Sequence, residues 1–95
     1  MEVKAGSEVR SIAGRDKGSL FIVLAVEDGY AYLADGDLRK TDRPKKKKLK
    51  HIQVSGNVSE FIQNKLAQGQ KVTNAELRKA LAEMFLGENK PQSLK

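Results

Sequence analysis

Eight basic residues fall within twelve positions: Arg39, Lys40, Arg43, Lys45, Lys46, Lys47, Lys48 and Lys50, opposed only by Asp42. Cationic groups at this density suit one kind of chemistry. They neutralise the phosphates of a polyanion and release its counterions. The segment carries +7, while the other 10 basic and 11 acidic residues leave the remainder at −1. The charge is therefore one cationic patch on a near-neutral body, an arrangement that concentrates polyanions locally. Four consecutive lysines in a loop repel one another, so a role in stability is not expected of them. Pro44 restricts the backbone just before the run and helps hold it off the body. A solvated loop with no partner has the same composition, and so does a nuclear localisation signal.

A second candidate is the turn Gly14-Arg15-Asp16-Lys17-Gly18. Such a turn can offer Arg15, Lys17 and free backbone N–H groups to a phosphate. An ordinary turn carrying charges for solubility reads the same way. Tyr30 and Tyr32, two apart on a strand, share a side; they either stack on bases or serve the core, and a structural role is expected. His51 is the only histidine. It has no partners for a zinc site or a catalytic triad, so packing at a strand edge is expected. No cysteine is present, which excludes disulfides and thiolate metal sites. Asp35-Gly36-Asp37 begins like a calcium loop, but Arg39 and Lys40 stand where a ligand and the glycine belong. Gly14 to Gly18 lacks the spacing and ending of a P-loop. Asn57-Val58-Ser59 is a glycosylation sequon only formally. No nucleophile, metal set or cofactor motif emerges, so the expectation is a non-enzyme with no cofactor.

The elements that must position these residues change character once along the 95-residue chain. Residues 1–55 read as β. Val9 and Ile12 bracket a short strand. Leu20-Phe21-Ile22-Val23-Leu24-Ala25-Val26 is apolar and rich in β-branched residues, as in a buried strand. Asp28-Gly29 suits a two-residue hairpin back to Tyr30–Ala34, and Asp35-Gly36 is a second turn of similar chemistry. Leu38 is expected to start a short strand that ends at a basic loop over residues 39–50. Leu49, Ile52 and Val54 suggest a closing strand. Short strands with turns this close indicate a small barrel.

Residues 56–87 take a helical period. Asn57 with Glu60 makes one capping-box arrangement and Thr73 with Glu76 a cleaner one, stapled by Val72 and Leu77. Val58, Phe61, Ile62 and Leu66 share one helical face; Leu77, Leu81 and Phe85 share the other, beside Ala80 and Met84. Gly69 and Gly87 are the expected stops. Residues 88–95 read as a flexible tail. The expected class is mainly β with a C-terminal helical pair (α+β). No apolar run approaches the roughly 20 residues of a membrane span, and the N-terminus has no apolar stretch of the signal-peptide kind. A cytoplasmic protein without membrane contact is expected.

The stretch from Gly6 to Gly18, followed by an apolar strand, resembles a KOW motif. Together Ala13-Gly14-Arg15-Asp16-Lys17-Gly18, Ala34-Asp35-Gly36 and Lys50-His51-Ile52 resemble a large-subunit ribosomal KOW protein family of archaea and eukaryotes. The nearest likeness is to small bacterial KOW-domain RNA-binding proteins related to that family. It covers roughly residues 5–54. The resemblance implies an SH3-like small β-barrel, a role in translation at or near the ribosome, and contact with ribosomal or other structured RNA. Its contacts would fall on Arg15 and Lys17 and on the basic loop. This chain carries lysines where that family tends to arginine. Lysine acts more as a point charge than as a bidentate fork, which favours backbone or shape recognition. The helices lie outside the motif and are candidates for docking a ribosomal protein. The alternative is a protein-interaction module using the barrel and the helices, although only 5% of the chain is aromatic. A helix-turn-helix on duplex DNA is a third reading, opposed by Glu76, Glu83 and Glu88.

Overall fold

The computed structural model describes residues 2–88, and the expected tail from residue 89 onward lies outside them. Five strands come first: β1 (Ser7–Ser11), β2 (Leu20–Glu27), β3 (Tyr30–Ala34), β4 (Lys45–Lys48) and β5 (Ile52–Val58). Two helices follow, α1 (Glu60–Ala67) and α2 (Asn74–Glu88). The strands form one antiparallel sheet in the order β4-β3-β2-β1-β5. No ladder joins the outer strands β4 and β5 among the described residues, so the sheet is open at its edges.

The apolar run of β2 explains the layering. Side chains on a strand alternate between faces, and β2 is buried on both. Phe21 and Val23 join Val9, Ala31, Leu33 and Ile52 in one cluster. Ile22, with Leu24 beside it, joins Ala34, Ile62, Val72, Leu77 and Ala80 in another. The second cluster is where the helices pack, with Leu66, Leu81 and Met84 at its margin. Ile22 and Leu33 are fully buried, and each such side chain contributes about 1.5–3 kcal/mol.

Local chemistry sets the element ends. Asp28 and Gly29 both take positive φ, 53° and 81°, the requirement of a two-residue hairpin turn. Thr73 and Glu76 form the reciprocal capping box: Glu76 N–H donates to Thr73 Oγ1 at 3.1 Å and Thr73 N–H to Glu76 Oε1 at 2.9 Å. α1 stops as expected at Gly69, whose N–H donates to Leu66 O, while the next N–H, of Gln70, reaches Lys65 O. Lys65 Nζ then bridges to Glu76 Oε2 at 2.9 Å, tying the helices together.

Several expectations are corrected. The basic segment is not a loop throughout: Lys45–Lys48 is strand β4, followed by a 3-10 turn over Leu49–His51. Leu38 starts no strand, and its side chain is 91% exposed. Asn57 does not cap α1, because β5 runs on to Val58; Ser59 is the cap, its Oγ accepting from Ile62 N–H. Asn57 instead donates from Nδ2 to the buried Glu8 carboxylate, where β5 bulges against β1. Phe61 and Phe85 lie on the outer sides of their helices, more than half exposed. Gly87 falls within α2 rather than beyond it.

The loop from β3 to β4 is held against α2. Asp35 Oδ1 accepts from the N–H groups of Asp37 and Arg39, Arg78 donates to Gly36 O, and Thr41 N–H donates to Asn74 Oδ1. A Cβ on Gly36 would meet Asn74 O at 2.2 Å, at a φ of +81°. Gly29 has the same φ but open space around it. Gly29→Ala is therefore expected to cost about 1–2 kcal/mol for the left-handed conformation alone. Gly36→Ala is expected to cost more, about 3 kcal/mol or above, because the overlapping atom is backbone. Urea unfolding of both variants checks the difference; equal midpoints would show that the loop is not seated on α2.

Candidate nucleic-acid interface

Placing the lysine run on a strand sorts its side chains by parity. β4 pairs with β3 so that Lys45 faces Leu33, Lys46 Tyr32, Lys47 Ala31 and Lys48 Tyr30. Cross-strand partners project from the same side of a sheet. Lys45 and Lys47 therefore share the face of the Ala31 and Leu33 cluster, and Lys46 and Lys48 share the face of Tyr30 and Tyr32.

Lys47 is turned inward, with its side chain only 9% exposed. Its Nζ donates to Ala13 O at 2.7 Å and to Asp16 Oδ1 at 2.8 Å. Ser11 Oγ also donates to Asp16 Oδ1 at 2.8 Å, and Lys45 Nζ lies 3.6 Å from Asp16 Oδ2. The β1–β2 turn is thus stitched to the edge strand β4 through one carboxylate. Burial alone would raise the Asp16 pKa. Hydrogen bonds from Lys47 and Ser11, with the charges of Lys47 and Lys45, outweigh it and hold the carboxyl at about 2, against an ordinary 3.8. Sequence reading missed Asp16 as an anchor; the signal was an acidic side chain inside an otherwise basic, glycine-flanked turn.

The opposite face is arranged differently. Lys46 Nζ sits 4.5 Å from the centre of the Tyr30 ring, a cation–π contact. Tyr30 and Tyr32 are half-buried, while Lys46 and Lys48 are exposed. Lys50 is exposed in the 3-10 turn, and Lys40 and Arg43 are exposed in the preceding loop. His51 is half-buried at the end of the 3-10 turn, just before β5.

Arg15 and Lys17 are exposed on the turn that Asp16 anchors. Arg15 is brought beside Arg39 and Lys45 around one depression of about 450 Å³, with Phe21 and the exposed Leu38 also lining it. Lys17, Lys40, Arg43, Lys48 and Lys50 do not line that depression. The structure thus brings Arg15, Arg39 and Lys45 together around one depression, puts Lys46 and Lys48 on the other face of β4, and withdraws Lys47 from solvent. Among the described residues no cluster of three metal-ligating side chains occurs, and no helix is long and apolar enough to cross a membrane.

The sign of the Asp16 shift fixes a pH dependence. A depressed carboxyl stabilises the fold above its unfolded pKa, and that contribution is lost as pH falls through its folded value. Wild-type stability is expected to decline between about pH 4 and pH 2. Asp16→Asn is expected to flatten that decline. Lys47→Gln is expected to destabilise by about 3 kcal/mol, and Lys46→Gln by no more than about 0.5 kcal/mol. Denaturation series at graded pH measure all three; equal losses for Lys46→Gln and Lys47→Gln would contradict the inward role of Lys47.

No protein-family model and no curated protein sequence matches the chain.

Proposed function

We propose that this protein is a non-enzymatic RNA-binding factor that holds structured RNA by its phosphate backbone along the β4 edge of the sheet. The observation that carries the reading is the concentration of exposed cations in and beside β4. Lys46, Lys48, Lys50, Lys40, Arg43, Arg15 and Lys17 are all exposed, on a body that is otherwise near neutral. Lysines on an edge strand also prevent sheet-to-sheet pairing. That role accounts for β4 alone and not for Arg39, Lys40, Arg43 and Lys50 outside it.

The strand order, and the reach of Lys47 from β4 to the β1–β2 turn, favour treating the sheet as an SH3-like barrel of the KOW kind. The sequence likeness over residues 5–54 supports the same reading, and with it a cytoplasmic role at the ribosome. Ribosomal RNA is then the leading partner. Sparse arginine in the run and rigid, strand-borne lysines suit backbone recognition. A ribosomal protein partner for the helices fits the exposed Phe61, which borders a depression with Ala80 and Glu83.

The direct test spares the fold. A triple variant, Lys46→Gln, Lys48→Gln and Lys50→Gln, removes exposed charge and leaves the Lys47–Asp16 pair intact. Fluorescence titrations with structured large-subunit RNA at several salt concentrations should give a wild-type log–log slope of about four to seven phosphate contacts. The triple variant should lose roughly two to three of them. Wild-type failure to bind at physiological salt, or an unchanged slope in the variant, would refute the reading.

A further inference from the structure

The depression between the β1–β2 turn and the β3–β4 loop has features that backbone phosphates do not require. Its volume, about 450 Å³, falls inside the roughly 300–1,000 Å³ range of small-ligand pockets. Phe21, 4% exposed, and Leu38, 91% exposed, supply apolar surface. Its cations include two arginines, Arg15 from the β1–β2 turn and Arg39 from the β3–β4 loop. A guanidinium is planar and stacks on aromatic faces, which an ammonium does not.

Leu38 is presented rather than merely left out. The loop that carries it is fixed at both shoulders by the Asp35 carboxylate and from behind by the Arg78 bond to Gly36 O. Charge favours an anion at the rim: Arg15, Arg39 and Lys45 outnumber Asp16 and Asp35, and buried Lys47 offsets Asp16, from whose Oδ2 Lys45 Nζ lies 3.6 Å away. One oxygen of Asp35 accepts two backbone N–H groups and orders the loop. The combination is a partly apolar slot lined by two arginines and a lysine.

We propose that this slot receives one unpaired nucleotide of the bound RNA. Its base stacks against Leu38 and the Arg15 or Arg39 guanidinium, and its phosphate meets Lys45. The proposal rests on the RNA-binding reading and adds to it: the β4 edge supplies affinity, and the slot selects RNA that carries a bulged or looped-out base. Unpaired bases are the usual handle for recognition of RNA beyond its backbone.

The experiment compares two RNA hairpins with the same stem, one fully paired and one with a single bulged nucleotide. They are titrated against wild type, Leu38→Ala and Leu38→Phe. Leu38 is exposed, so both variants are expected to fold; their circular dichroism and unfolding midpoints verify this. Wild type should bind the bulged hairpin about tenfold tighter than the paired one, the scale of one stacked base. Leu38→Ala should bring that preference to about twofold or less with paired-stem affinity unchanged, and Leu38→Phe should keep it. If wild type binds both hairpins equally, or Leu38→Ala keeps the full preference, the slot proposal is overturned while RNA binding stands. If neither hairpin binds, both readings fall.

Discussion

The Lys47 ammonium reaches across from the edge of the sheet to the Asp16 carboxylate, and much else follows from that contact. It places a charged group 9% exposed above an apolar cluster, where only a well-bonded ion is tolerated. Asp16 Oδ1 and Ala13 O supply two acceptors, and Ser11 and Lys45 complete the surroundings of the carboxylate. The pair fixes where the β1–β2 turn sits relative to β4. Once the turn is fixed, Arg15 stands beside Arg39 and Lys45. One lysine of the run is withdrawn from solution, and Lys46 and Lys48 are displayed on the strand.

Strand alternation makes this division of labour. On a flexible loop, four lysines are equivalent. On a strand, a period of two sends them to two faces with different neighbours. Lys45 and Lys47 meet Asp16; Lys46 and Lys48 meet the tyrosine side and solvent. The same run thus contributes to the fold and to the surface field. Its replacement as a block would confound the two, whereas substitution by parity separates them.

Much of the architecture was legible from local chemistry. The Asp28-Gly29 hairpin, the continuous apolar strand Leu20–Val26, the Thr73–Glu76 capping box and the Gly69 stop each depend on a few adjacent residues. The α+β class followed from the change of period near residue 56. What could not be read depended on pairing between distant segments. Lysine is a poor strand former by preference, so only pairing with Tyr30–Leu33 makes β4 a strand. Asn57 had the right spacing for a cap, yet pairing of β5 with β1 carried the strand past it. Asp16 looked like one more charge in a turn because its partner is 31 residues away. Leu38 looked like the start of a strand because its exposure is set by the docking of its loop on α2.

The account turns on where RNA touches the molecule. The most direct measurement is a backbone amide chemical-shift titration of the folded protein with structured RNA. The account predicts perturbations centred on residues 15–17 and 38–50, with Tyr30 and Tyr32 affected and the outer faces of α1 and α2 silent. Perturbations centred on Phe61 and the outer face of α2, or none along β4, would contradict it.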